Sequence, residues 1–364
     1  MSHNLRGFTL EELQRLIVDL GEPLYRGKQV YHWITAKAAV SFEEMTDLPK
    51  ALREKLKNHF DLSLPEVVQK VSDEEGTTKF VLKLVDGKII EMVLIPERDH
   101  FTLCVSTQVG CAMGCAFCLT GKSGFIRNLE TSEIISQVLI AKRFLKERGE
   151  VLPLRNIVFM GMGEPLANYK NLLKALQILA DKEGFNFSRK RLTVSTVGLA
   201  DKMLALAKDF PVALALSLHA TTDELRRKLM PIAQRYPIKS LLEVLKVFPR
   251  IKKGRHTIEY VLLKGINDSL EDAYRLAKLF KGMPVKINLI PFNPHPELPF
   301  KRPDDFVIEN FQKVLLSQGI LTTVRKSKGL KIFAACGHLS TKHQQFQNHN
   351  FHNTSSSLAC SLTL

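Results

Sequence analysis

No stretch of this 364-residue chain is apolar for long enough to cross a bilayer. The longest such run, around Pro211 to Leu218, falls far short of the roughly 20 residues that a spanning helix needs. The first residues, Met-Ser-His-Asn-Leu-Arg-Gly-Phe, lack the charged-then-apolar order of a secretory signal. A cytoplasmic protein with no membrane partner is expected. Cysteines are few, and three of the six crowd one loop, an arrangement foreign to a secreted disulfide framework. Carboxylates are scarce beside bases: 37 Asp and Glu against 52 Lys and Arg, a formal net charge of +15 at pH 7. The imbalance is local. The first 90 residues carry about 13 basic and 14 acidic side chains, so the whole excess follows Glu91. It gathers in Arg189-Lys190-Arg191, Arg226-Arg227-Lys228, Arg250 through Arg255, and Arg325-Lys326-Ser327-Lys328. Four basic clusters in one region point to a polyanionic partner, RNA or DNA first.

The length suffices for one sizeable domain and a smaller one, and a monomer is expected. Residues 1–60 read as helical. Thr9-Leu10-Glu11-Glu12 is a capping box ahead of apolar Leu13, Leu16, Ile17 and Leu20, and further helical runs cover Lys28–Lys37 and Pro49–His59. Phe80–Val85 and Lys88–Ile95 flank Asp86-Gly87, a two-residue hairpin signal. This places a small N-terminal domain, 1–95, comprising helices and a linking β-hairpin. From about residue 100 strand and helix alternate. Strands are expected at Phe101–Val105, Asn156–Met160, Arg191–Ser195, Val212–Ser217, Thr257–Leu262, Val285–Ile290 and Thr322–Val324. Helices such as Ser132–Leu145, Asn171–Ala180, Ser240–Phe248, Leu270–Leu279 and Asp305–Ser317 lie between them. The alternation predicts an α/β domain over 96–340 with a parallel sheet, and six or seven units suit a partial (β/α)6-type barrel. The stretch 341–364 is polar and aperiodic and reads as a disordered tail. Its scattered histidines and Cys360 carry no expected role.

The segment Val-Gly-Cys-Ala-Met-Gly-Cys-Ala-Phe-Cys-Leu-Thr-Gly places Cys111, Cys115 and Cys118 at Cys-x3-Cys-x2-Cys spacing. Three thiolates are one short of a closed tetrahedral zinc site, and no Cys or His follows within twenty residues. A [4Fe–4S] cluster that only carries electrons takes four thiolates; with three, one iron stays open for a ligand. In a barrel, function gathers at the C-terminal ends of strands, and the polar or glycine-rich segments fall there. They are the cysteine loop, Gly161-Met162-Gly163-Glu164-Pro165, Ser195-Thr196, Ser217-Leu218-His219 and Pro291-Phe292-Asn293. Glycines would let the backbone approach a ligand, Glu164 offers a carboxylate to an ammonium, and Ser195, Ser217 and Asn293 offer partners to a ribose and a base. Cys104 and Cys336 remain, a pair able to pass between thiol and disulfide.

The three-cysteine spacing resembles that of radical S-adenosylmethionine (SAM) enzymes. Over nearly the whole chain to about Leu339 the sequence resembles the RlmN-type radical SAM adenine-C2 methyltransferases. The matching stretches are Cys104-Val-Ser-Thr-Gln-Val-Gly-Cys111, Phe159-Met-Gly-Met-Gly-Glu-Pro-Leu166, Leu192-Thr-Val-Ser-Thr-Val-Gly198, Ser217-Leu-His-Ala220, Glu259-Tyr-Val-Leu-Leu-Lys-Gly-Ile-Asn-Asp268 and Ala334-Ala-Cys-Gly337. The resemblance implies a radical SAM barrel and methylation of adenine C2 in 23S ribosomal RNA at the peptidyl-transferase centre. It also implies methylation of the adenosine 3′ of the anticodon in some transfer RNAs. Cys111, Cys115 and Cys118 would hold a [4Fe–4S] cluster, and Gly163, Glu164, Ser195, Ser217, Leu218, His219 and Asn293 would bind SAM. Cys336 would take a methyl group from a first SAM, and a radical from a second would activate it for addition to C2. Cys104 would release the product through a transient disulfide with Cys336, Glu91 would accept the proton, and a flavodoxin-type protein would donate the electron.

The chain departs from the family pattern at Leu119, where a small residue is usual. Gly329-Leu330-Lys331-Ile332 stands where an acidic residue usually follows the glycine, and Ala233-Gln234 where Asn-Lys is usual. Two rivals remain: the related class that methylates adenine C8 of the same RNA, and a non-enzymatic Fe–S or zinc RNA-binding protein, which would need neither Cys104 nor Cys336.

Overall fold

The computed structural model describes residues 3–340. The polar tail and Cys360 lie outside them. A short parallel pair, β1 (His3–Asn4) and β2 (Phe60–Asp61), closes a unit of three helices: α1 (Leu10–Asp19), α2 (Tyr25–Thr35) and α3 (Lys50–His59). Thr9 begins α1 with the capping box, its Oγ1 accepting from the Glu12 amide at 3.3 Å while its own amide donates to Glu12 Oε2 at 2.8 Å. Leu5, Leu13, Ile17, Val30 and Leu52 form a separate apolar core within residues 5–62. Through its middle runs Arg6, fully buried, donating to the carbonyls of Leu62, Ile34 and Ala39.

Three antiparallel strands follow, β3 (Glu66–Ser72), β4 (Thr78–Lys83) and β5 (Ile89–Pro96). The β4–β5 hairpin has a longer loop than the Asp-Gly signal predicts. Lys83 pairs with Ile89, the Leu84 amide bonds the Lys88 carbonyl at 2.8 Å, and Val85-Asp86-Gly87 make the turn. A two-residue I′ turn needs positive φ at both central positions. Only Gly87, at +77°, has it.

The remaining strands are β6 (Phe101–Cys104), β7 (Gln108–Gly110), β8 (Phe125–Asn128), β9 (Leu154–Phe159), β10 (Leu192–Thr196), β11 (Ala213–Ser217), β12 (His256–Leu262), β13 (Val285–Pro291) and β14 (Leu321–Val324). Between them lie α4 (Leu119–Lys122), α5 (Thr131–Glu147), α6 (Tyr169–Ala180), α7 (Ala200–Asp209), α8 (Asp223–Leu229), α9 (Ile238–Val247), α10 (Leu270–Leu279) and α11 (Asp305–Ser317). One ten-stranded sheet runs β14-β13-β12-β11-β10-β9-β6-β5-β4-β3. Its seven strands from β6 to β14 are all parallel and in chain order, six strand–helix units and a last strand, as the alternation predicts. The barrel stays open because β5 occupies the free edge of β6, with Val93 opposite Cys104. Residues 66–96 therefore extend the large sheet, whereas 5–62 pack as their own unit against α5 and α6 through contacts such as Lys174–Glu12 at 2.7 Å.

The basic clusters do not share one face. Arg189–Arg191 lies at the N-terminal end of β10 and packs near Ile251–Lys253, whereas Arg325 follows the C-terminal end of β14. Arg226 is fully buried, so that cluster's leading residue faces the interior and not a partner.

Candidate active site

A cavity opens at the C-terminal ends of the parallel strands. Cys118, Gly163, Glu164, Ser195, Ser217, His219, Asn293 and Cys336 all line it. Sequence positions more than two hundred residues apart converge there because each follows a neighbouring strand of one sheet. Leu218 does not reach it. Its side chain is fully buried in the main core, because the strand alternation that turns Ser217 toward the cavity turns its neighbour away.

The cysteine loop is held from three sides. The Cys111 amide donates to Gly124 O at 2.8 Å, the Ala116 amide to Leu229 O at 2.9 Å and the Leu119 amide to Gly337 O at 2.9 Å. Burial pushes the Cys111 thiol up to about 12 and Cys115 well above its ordinary value. Thiols so placed carry charge only with a metal to stabilise them. Among the described residues no three His, Cys, Asp or Glu side chains converge tightly enough for one ion. Three thiols on one loop are a donor set that would suit a thiolate-held cluster, and Cys118 borders the cavity that would hold that group's further ligand. Leu119, larger than the usual residue, packs with Cys115, Leu229 and Met230 in a small apolar cluster beneath the loop.

Glu164 is buried, with Oε2 accepting from the Val197 amide at 2.9 Å and Oε1 from Leu166 at 3.1 Å. Burial raises its carboxyl to about 7 against the lowering effect of those amides. Gly161 and Gly163 serve a different purpose from the one their composition suggests. A β-carbon on Gly161 would stand 2.7 Å from Ser106 Oγ, and one on Gly163, at φ +98°, 2.5 Å from Gln108 Cβ. The freedom of these glycines is taken up by packing against the chain leading into the cysteine loop.

Ser195 and Ser217, on adjacent β10 and β11, place their hydroxyls 3.4 Å apart at the cavity wall. His219 adopts φ +59° and accepts the Val261 amide at Nδ1, 3.0 Å, which assigns its proton to Nε2. Burial, with the Arg226 charge adding to it, lowers its pKa to about 3, so the ring is a neutral donor. Asn293 donates from Nδ2 to the Cys336 carbonyl at 3.2 Å and accepts Ser327 Oγ at 2.6 Å. Its amide therefore positions the Cys336 segment.

Cys104 ends β6 and is buried. Burial first, and the neighbouring Cys336 thiol second, push its thiol up to about 12, opposed by Arg325. Arg325 lines the same cavity as Cys336 and Glu259, and its charge faces Cys336, Glu259 and Cys104 in turn. Glu91 lies outside the cavity wall, on β5. It pairs with Lys79 at 3.1 Å, both almost fully buried, and accepts the Ser340 amide at 3.0 Å. The segment carrying Cys336 is further tied by Lys79 to Phe333 O at 3.3 Å, Gly329 N to Asp73 Oδ2 at 3.2 Å and Lys331 to Glu74 at 3.1 Å. Lys331 thus meets an acidic partner on the β3–β4 turn, which gives the reversed charge a local complement.

Sequence reasoning missed Glu259 and Arg325 as cavity residues. Glu259 had a signal: a lone carboxylate inside the apolar strand Thr257–Leu262. Arg325 was masked by its membership in a basic run.

With this arrangement stand the similarities to known proteins. Residues 105–277 match the Radical SAM superfamily, and residues 3–62 match the ribosomal RNA large subunit methyltransferase N-terminal domain. The chain is 48% identical over 342 residues to the dual-specificity RNA methyltransferase RlmN of Anaeromyxobacter dehalogenans, covering 93% of this chain and 92% of that one. The chain belongs to the RlmN family. It is 48% identical over 345 residues to the probable dual-specificity RNA methyltransferase RlmN of Aquifex aeolicus, covering 93% of this chain and 98% of that one. A radical SAM methyltransferase from Sphaerobacter thermophilus superposes with a TM-score of 0.88 at 43% identity, over 93% of this chain and 100% of that one. RlmN membership accounts for both units at once, since the two family matches fall on the small helical unit and on the barrel. Among the described residues no helix is long and apolar enough to cross a membrane.

Proposed function

We propose that this chain is a dual-specificity RNA methyltransferase that methylates adenine C2 in 23S ribosomal RNA and the adenosine 3′ of the anticodon in some transfer RNAs. The observation that carries the reading is the convergence of two separate thiol systems. Cys118 of the three-cysteine loop and Cys336 of the distant strap line one cavity, with Cys104 behind them. Adenine C2 is electron-poor, so a bound methyl donor needs a radical route. A [4Fe–4S] cluster on Cys111, Cys115 and Cys118, with SAM, supplies a reducing electron and a reactive alkyl radical when bound. The protein's own groups do the rest.

Cys336 carries the methyl carbon. Asn293 and the Leu119 amide hold its segment at the cavity, and Arg325 lines the same cavity. Glu164 receives the SAM ammonium, and Ser195 and Ser217 the ribose hydroxyls. Glu91, buried beside Lys79, takes up the proton lost from C2. The Cys104 sulfur then attacks the sulfur of Cys336: the S–S bond forms as the S–C bond breaks, and the freed carbon takes up the proton that the Cys104 thiol gives up, leaving as the methyl group. RNA is the macromolecular partner, the exposed bases after Glu91 its electrostatic footprint, and a flavodoxin-type protein the electron donor.

The test is anaerobic reconstitution with iron and sulfide, then incubation with SAM, reductant and protein-free ribosomal RNA, with mass spectrometry of the digested RNA. 2-Methyladenosine together with 5′-deoxyadenosine is expected. 8-Methyladenosine would move the chain to the C8 class. A loaded cluster that yields neither product would overturn the methyltransferase reading.

A further inference from the structure

Arg226 is fully buried, yet no carboxylate forms an ion pair with it among the described residues. Its guanidinium donates to three main-chain carbonyls: Leu218 O at 3.2 Å, Tyr236 O at 3.1 Å and Val197 O at 2.5 Å. Two of these carbonyls, Val197 and Leu218, follow the C-terminal ends of β10 and β11 at the cavity. The hydrogen bonds satisfy the guanidinium's donors but leave its charge without an opposite charge. A buried charge needs such a partner.

The cysteine loop, packed against the helix that carries Arg226, can supply one. Leu229, on the same helix as Arg226, accepts the Ala116 amide, which lies next to Cys115. Cys115, Leu229 and Met230 pack in one apolar cluster. The Cys115 sulfur leads the anionic influences on Arg226, ahead of Asp223, whose carboxylate already accepts the Ile238 amide at 2.8 Å. Arg6 makes a useful contrast. It too is buried and bonded to three carbonyls, but the anions that act on it are Asp61 and Glu44, both true carboxylates.

We infer that Arg226 is the fixed counter-charge of the metal centre on Cys111, Cys115 and Cys118, holding its reduction potential up by stabilising the more negative, reduced state. The inference rests on the cluster reading given above. Three thiolates on a [4Fe–4S] core carry net negative charge, and adding one electron makes it more so. A guanidinium locked by three carbonyls cannot swing away, and although burial lowers its pKa to about 10 it stays charged near neutral pH, where a low-dielectric surrounding lengthens its reach. Arg226 is a positioning residue in that it ties two strand ends together. Its charge is a separate property that a purely structural role does not use.

The experiment is a redox titration of the reconstituted full chain, followed by electron paramagnetic resonance, for the wild type, Arg226→Met and Arg226→Lys. Both variants lose the three-carbonyl fork and melt at lower temperature. Only Arg226→Met loses the charge. Its one-electron reduction equilibrium is expected to become at least tenfold less favourable, about 59 mV more negative, while Arg226→Lys keeps the wild-type potential. A wild-type potential in Arg226→Met, or an equal shift in both variants, would overturn the inference. Should Arg226→Met not fold, the neutral Arg226→Gln takes its place: a reduction at least tenfold less favourable than in Arg226→Lys supports the inference, and a wild-type potential in Arg226→Gln refutes it. Absence of any cluster signal from the wild type would instead strike the cluster reading.

Discussion

Two glycines face each other across the β7–β8 hairpin beneath the cysteine loop, and they separate backbone strain from lack of space. Gly110 has φ +76° and Gly124 has φ +73°. Alanine at either position would hold a left-handed conformation, at about 1–2 kcal/mol. Their surroundings differ. A β-carbon on Gly124 meets nothing within 4 Å, whereas one on Gly110 would overlap the Gly124 carbonyl. That same carbonyl accepts the Cys111 amide at 2.8 Å. Relief of the overlap must therefore push the hairpin away and break the bond that anchors the first cysteine. The lost hydrogen bond contributes about 1 kcal/mol and the overpacking about 1–3 kcal/mol. Gly110→Ala should thus exceed Gly124→Ala by about 2–4 kcal/mol in local stability, a sum of those two ranges. Hydrogen exchange of the Val109–Arg127 ladder measures this local opening without assuming that the whole chain unfolds in one step. Iron bound per chain after reconstitution provides a second readout, expected to fall for Gly110→Ala and to hold for Gly124→Ala. If the two variants opened equally and bound iron equally, the close approach would not be what anchors Cys111.

Cys336→Ala is expected to abolish RNA methylation while SAM binding, measured by equilibrium dialysis, persists; Cys104→Ala should accumulate a covalent protein–RNA adduct visible on a denaturing gel. Burial holds the Cys104 thiol at about 12 instead of 9, so at pH 8 its thiolate fraction, and its iodoacetamide alkylation rate in the folded apo-protein, should be lower than an ordinary thiol's by about 10³. The sign for stability follows: a raised pKa favours the protonated folded form, so Cys104's contribution is intact below pH 9 and is lost as pH climbs toward 12. Lys79→Met removes one side of the buried 3.1 Å ion pair with Glu91 and should destabilise by about 3–5 kcal/mol, read by chemical denaturation, with Glu91→Gln added to Lys79→Met recovering much of the loss. Lys331→Glu, by contrast, removes a pair exposed on both sides, and its effect on stability should stay under about 1 kcal/mol.

Much of the architecture was legible because it depends on local chemistry. Alternating apolar strands and amphipathic helices announce a parallel α/β sheet whatever the rest of the chain does, and strands such as Val285–Pro291 lie within a residue or two of expectation. The Cys-x3-Cys-x2-Cys spacing specifies a thiol-rich loop by itself, since its ligands are neighbours in sequence. The hairpin at Asp86-Gly87 was recognisable too, but its loop length depended on which residue could take positive φ.

What composition and spacing left undetermined are properties of through-space neighbours. Whether a basic residue faces RNA or the interior is invisible in a charge run. Arg226 and Arg325 turn inward because helix and strand periodicity place them against carbonyls and thiols, while Arg189 and Lys190 stay exposed. Gly163 reads as a ligand-approach glycine, yet its missing β-carbon is filled by Gln108, a residue on another strand. The open barrel is likewise a tertiary fact, decided when β5 takes the edge of β6. The meeting of Cys336 with Cys118 across more than two hundred residues required the whole sheet, because only parallel strands in sequence order bring their C-terminal ends to one rim.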